Sequence, residues 1–164
     1  MKIALFRGTG FLSGAIEDFS RSVYSHAAVW WPELSELHEA VADGFVCVAG
    51  PEVNHDKGTV IDVLSFKEPL SWNEDATALD LARKMSGPPP APYNYEMCFA
   101  GFPLRLEYEP AKDRRSFFCS EAVFLICAAM GPKRVLLERT QAWKVPPEGI
   151  NLSPLLLWEN SLVL

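Results

Sequence analysis

Residues 119–130 read Cys119-Ser120-Glu121-Ala122-Val123-Phe124-Leu125-Ile126-Cys127-Ala128-Ala129-Met130, and Gly131-Pro132 stops the run. After Glu121 the segment is apolar on nearly every side. A helix that is hydrophobic all round has no face to give to water, so it is expected at the centre of the fold. A second segment answers it. Tyr24 to Trp31 (YSHAAVWW) is apolar on both faces and reads as a buried strand. Ala27 and Ala28 leave room for a helix to approach the sheet there.

Further strands are expected around that pair: Ile3 to Arg7, Leu37 to Val41, Phe45 to Ala49 and Thr59 to Phe66. Asp43-Gly44 and Gly50-Pro51 supply the turns between them, the first as a tight hairpin connection. Asn73 is read as the N-cap of a helix running to about Met85, with Gly87 beyond its end. Leu12 to Phe19 and Asn94 to Phe102 are candidate short helices. Gly87 to Pro92 is the one linker-like stretch, between a strand-rich half and a helical half. The half before it is small for a core of its own, so the two halves are expected to pack together as one domain, residues 1–164. The tail after Val145 carries no assignable pattern.

The chain has 164 residues, 49% hydrophobic and 22% charged. That composition supports a folded core and excludes a disordered chain. The net charge is −6 and the pI about 5.1. Binding driven by phosphate neutralisation is disfavoured, so no nucleic-acid partner is expected. No apolar run reaches the length of a membrane span, and Ile3 to Phe6 is too short for a secretory signal. The four cysteines (Cys47, Cys98, Cys119, Cys127) form no CxxC pair. They are read as thiols in a reducing, cytoplasmic setting.

Of these, Cys119 has the setting of a nucleophile. It opens the central helix, where backbone N–H groups and the helix dipole favour a thiolate, and it follows Arg114 and Arg115. The same N–H groups suit an oxyanion. A nucleophilic cysteine needs a base, and the chain has three histidines: His26, His38 and His55. His26 lies on the buried strand. The segment Glu36-Leu37-His38-Glu39-Ala40 offers a third polar group to hold the imidazole, either His38 or Glu39, which face opposite sides of their strand. A carboxylate among apolar neighbours, as Glu39 is, needs a partner. His55, in the turn-like VNHDKG, is read as solvated. Cys47, Cys98 and Cys127 are read as small hydrophobes. No short ligand spacing supports a zinc site, and no metal or organic cofactor is expected.

The segments SHAAV, HEA, PYNY and FFCSEAVFL, in that order, resemble the circularly permuted NlpC-type, papain-like cysteine hydrolases, a group that includes YiiX-like and lecithin:retinol acyltransferase-like proteins. In ordinary NlpC-type enzymes the cysteine helix precedes the histidine strand; here the order is reversed, as in the permuted branch. The resemblance spans most of residues 2–130. It implies an α+β papain-like domain, an antiparallel sheet packed on the helix that bears the cysteine. It implies Cys119 as nucleophile and His26 as general base. The third position falls on Glu39 with a one-residue insertion in WWPELSEL, or on His38 without it; Glu39 is preferred because Glu39-Ala40 fits the pattern. Tyr93 in PYNY matches a tyrosine beside the nucleophile, and Glu121 matches the CSE pattern. The expected activity is that of a cysteine amidase or peptidase working through an acyl-enzyme on a small-molecule, peptide or lipid acyl substrate. A lipid acyltransferase or thioesterase, and a non-catalytic binding module, are the alternatives.

Overall fold

The computed structural model describes residues 1–8, 22–93, 117–138 and 140–164. The expected helices at Leu12–Phe19 and Asn94–Phe102, together with Cys98, Arg114 and Arg115, lie outside them. The architecture is α+β. Six strands, β1 (Lys2–Arg7), β2 (His26–Trp31), β3 (Glu36–Val41), β4 (Gly44–Val48), β5 (Val60–Phe66) and β6 (Leu156–Val163), form one sheet in the order β4-β3-β2-β1-β5-β6. Every neighbouring pair is antiparallel. Among the described residues, no helix is long and apolar enough to cross a membrane.

Strand alternation sorts the core into two clusters. From β1, Ile3 and Leu5 enter the larger one, while Ala4 and Phe6 enter the smaller one on the other face. From β2, Ala27, Val29 and Trp31 join the larger cluster and Ala28 the smaller. The larger face receives α1 (Trp72–Met85) and α2 (Cys119–Ala129). The central helix is as apolar as its sequence demands: Ala122, Val123, Phe124, Ile126 and Cys127 are all buried. Full burial of one such Val, Ile or Phe side chain stabilises by roughly 1.5–3 kcal/mol, so this helix is the principal apolar anchor of the sheet. Ser120, buried in its first turn, donates its hydroxyl to the Val145 carbonyl at 2.6 Å.

Several local expectations are corrected. The N-cap of α1 is Ser71, not Asn73. Ser71 Oγ accepts the Glu74 N–H, and the Glu74 carboxylate accepts the Ser71 N–H. This reciprocal pairing satisfies two N–H groups at once, which an Asn73 cap would not. Glu74 also holds the buried Arg134 at 2.8 Å, and Arg134 stacks over Phe66 at 5.2 Å from the ring centroid. The hairpin turn is Ala42-Asp43; Gly44 already belongs to β4, with φ +116°. Cys47 is exposed, on an edge strand.

The Pro-rich stretch is docked on the sheet and is no loose linker. Ala91 accepts the Phe45 N–H at 2.7 Å and donates its own N–H to Met85 at 2.9 Å. The unassigned tail supplies β6, whose residues are mostly exposed and whose register shifts at Val63/Leu64. A strand with one solvated side and a bulge loses the two-residue alternation that would mark it.

Candidate active site

The β2–β3 register pairs Ala28 with Glu39 and Val29 with His38. Glu39 therefore shares a face with Ala28 and, two residues earlier, with His26. The two side chains meet, with His26 Nε2 2.9 Å from Glu39 Oε2. His26 pairs across β1 with Phe6, whose ring lies 5.3 Å from the imidazole. Glu39 itself is 0% exposed.

His38 points the other way, into the larger core. Its Nδ1 lies 3.1 Å from Ser86 Oγ and its Nε2 3.2 Å from Glu36 Oε2. Trp31 meets it edge-on and Phe45 stacks on it. Burial pushes the pKa of His38 down, a shift that its bond to Glu36 only partly offsets. Glu36 is in turn gripped by Arg83. Of the two histidines beside the Glu39 strand, His26 is thus the one that Glu39 orients.

A third imidazole joins the pair. His55 Nε2 lies 2.8 Å from the same oxygen, Glu39 Oε2, while Asn54 donates its amide N–H to Oε1 at 2.9 Å. The ring of His55 stacks on Phe6 at 4.0 Å. The expectation of a solvated His55 is therefore corrected. The VNHDKG loop folds over the smaller cluster because a buried carboxylate needs every acceptor site filled. That need is the sole signal in the sequence for the contact, since nothing in the spacing names the partners.

Burial alone would raise the Glu39 pKa. The hydrogen bonds from His26 and His55 outweigh it and hold the carboxyl well below its usual range. An ionised carboxylate only accepts, so each facing Nε2 carries a hydrogen; these tautomers are assigned from the bonding pattern. In a neutral His26, Nδ1 then holds the free lone pair.

Cys119 is the first residue of α2, is 5% exposed, and belongs to the larger cluster. Its helix start is fixed by a short chain of contacts. Phe117 forms a parallel bridge with Tyr93 and donates its N–H to the Pro92 carbonyl at 3.0 Å. Ala91 bonds Phe45, and Phe45 pairs with Ala40, the neighbour of Glu39. Cys119 thus lies on the larger-cluster face of the sheet, and His26, with Phe6, on the smaller-cluster face. The His26 side chain meets Glu39, Phe6 and His55. Tyr93 stands by the head of the helix through its bridge to Phe117. Glu121 is buried in the first helical turn. Arg7 is bonded to Asp62 at 3.0 Å.

No protein-family model and no curated protein matches the chain. Among solved structures it is similar to the crystal structure of the metalloprotein YiiX from Escherichia coli O157:H7. The two share 15% identity with a TM-score of 0.67, over 99% of this chain and 96% of that one. At that identity the likeness shows the fold, a YiiX-like one.

Proposed function

We propose that the protein is a thiol-dependent acyl hydrolase, with Cys119 as nucleophile, His26 as general base and Glu39 as the group that orients the base. The observation that carries this reading is the His26–Glu39 pair. A buried carboxylate bonds one imidazole nitrogen at 2.9 Å. A carboxylate so placed fixes the tautomer and stabilises the imidazolium that forms when the base takes a proton. Nδ1 takes the proton of the Cys119 thiol. The thiolate adds to an amide or ester carbonyl, and N–H groups of the first helical turn receive the developing oxyanion. The imidazolium protonates the leaving amine or alcohol as the C–N or C–O bond breaks. Water, deprotonated by His26, then releases the acyl group from sulfur.

The test is active-site labelling. The protein is incubated with an activated acyl ester near neutral pH, quenched in acid and digested, and the acylated cysteine is read by mass spectrometry. The acyl group is expected on Cys119 and not on the exposed Cys47, with His26→Ala lowering its rate by about 10²–10⁴-fold. Labelling of Cys119 at the same rate in His26→Ala and wild type would remove His26 from the reaction and the proposal with it.

A further inference from the structure

We propose that His26, Glu39 and His55 form a binding site for one divalent transition-metal ion of the zinc class. Their facing atoms, two Nε2 and one carboxylate oxygen, all lie within 4.8 Å of one another. Both imidazoles already converge on a single oxygen, at 2.9 and 2.8 Å. Around a tetrahedral ion with bonds of about 2.0–2.2 Å, ligand atoms stand roughly 3.3 Å apart. Each imidazole thus needs to draw back from Glu39 by a few tenths of an ångström to match that spacing.

The donor set suits the ion. Two neutral imidazoles and one carboxylate form a recurring set for zinc and other first-row divalent metals. Each ligand is held from behind. Asn54 bonds the second oxygen of Glu39, the His55 ring rests on Phe6, and His26 is fixed in the β1–β2 ladder. The two imidazoles are each 14% exposed beside a fully enclosed carboxylate, so the site is open on one side to water or a fourth ligand. A second cluster, Glu36, His38 and Cys47, fits less well, because Arg83 already occupies both oxygens of Glu36. Loading needs each Nε2 to lose its hydrogen: a neutral imidazole moves it to Nδ1, and an imidazolium, already protonated at Nδ1, releases it to solvent. Metal binding at this site does not depend on the hydrolase reading.

The test uses the full chain, stripped with a chelator and titrated with Co²⁺ and with Zn²⁺. One ion per chain is expected by equilibrium dialysis. The Co²⁺ form should give the visible bands of a four- or five-coordinate ion and no thiolate-to-cobalt charge-transfer band. X-ray absorption of the Zn²⁺ form should show imidazole scattering and no zinc–sulfur distance. His55→Ala and Glu39→Gln should each weaken binding by at least about tenfold, whereas Cys47→Ser should leave it unchanged. His55 is a loop residue, so its variant keeps the test usable should Glu39→Gln unfold; circular dichroism checks both. Wild-type affinity in a folded His55→Ala protein, a sulfur ligand in the absorption spectrum, or no stoichiometric binding would each overturn the assignment.

Discussion

Glu39→Gln isolates the charge at the centre of the site, because the shape of the side chain is kept. The Glu39 carboxylate accepts three hydrogen bonds, from His26 at 2.9 Å, His55 at 2.8 Å and Asn54 at 2.9 Å. A glutamine can keep two of them. Its carbonyl faces the imidazoles, its amide faces Asn54, and Asn54 turns over to present its own oxygen. What is lost is the charge assistance. A hydrogen bond to an ionised group contributes about 1.5–3 kcal/mol against about 1 for a neutral one. Against that loss stands the cost of burying the charge, which the substitution removes. The balance is decided by the direction of the Glu39 pKa, which is held down in the folded protein despite burial. The donors therefore outweigh the burial cost, and the neutral side chain is the less stable one, by about 1–3 kcal/mol. With a urea slope of about 1–3 kcal/mol/M, the midpoint should fall by roughly 1 M, read by tryptophan fluorescence at neutral pH. A cycle with Asn54→Ala should return a coupling of about 1 kcal/mol, since the two residues touch. A midpoint equal to or above that of wild type would refute the reasoning, for it would mean that the enclosed charge costs more than its three donors return.

Other outcomes follow from the same structure. Gly44→Ala should destabilise by about 1–3 kcal/mol in the same titration. It forces a positive φ on alanine and sets a methyl 2.8 Å from the Ala91 carbonyl; displacement of that segment should also slow acylation of Cys119. For Asp62, burial raises the pKa, but bonds from Ser161 and Tyr24 and the Arg7 guanidinium hold it below its ordinary value. Its contribution is thus fully present above about pH 4, the unfolded value, and is lost as pH falls through the lower folded one. Asp62→Asn should flatten the stability profile in that acid range, and an unchanged profile would show that the four-residue network is not coupled to folding. If both proposals hold, Zn²⁺ should block acylation of Cys119 in wild type and much less in His55→Ala. A metal on Nε2 leaves the other nitrogen of His26 carrying the hydrogen, and the thiol proton then has nowhere to go.

The parts of the fold legible in the sequence are those whose pattern has a single physical explanation. Residues 119–130 are apolar nearly all round after Glu121, and α2 is buried over Cys119–Phe124, Ile126 and Cys127, with Ala129 at its end exposed. Residues 26–31 are apolar on both faces, and both faces of β2 are covered, the larger cluster taking Ala27 and Val29 and the smaller Ala28. The cap of α1 is not decided by residue type, because both Ser71 and Asn73 are cap-forming residues. The choice lies with Glu74, which reaches back to the Ser71 N–H. β6 leaves no trace in the hydropathy pattern because most of its residues face water, so hydrophobicity does not alternate along it. The docking of Ala91 on Phe45 is hidden as well, since a Pro-rich segment reads the same whether it spans a gap or lies on a surface.

The site divides along the same line. A glutamate flanked by Leu37 and Val41 on its own strand face must find donors, so the strand pattern alone demands a partner for Glu39. It does not name the partner, because a one-residue change of register exchanges Glu39 for His38. Backbone pairing resolves it through one turn: Pro32–Leu34 form a 3₁₀ turn closed by Ser35 at φ 52°, which sets Ala28 opposite Glu39. The loop that brings Asn54 and His55 has no legible signal of its own, only the need of Glu39 for donors. Its contacts are made across 15 and 16 residues by side chains with no periodic relation to the strand they meet. Yet it changes the chemistry of the site. With His26 alone, Glu39 is the orienting arm of a base. With His55 on the same oxygen, it becomes the middle of three convergent ligands. One substitution separates these roles. His55→Ala should weaken metal binding by at least about tenfold while leaving the His26–Glu39 bond, and acylation of Cys119 in metal-free buffer, in place. Equal loss of both would mean that His55 acts by shaping the Glu39 pocket rather than by holding an ion.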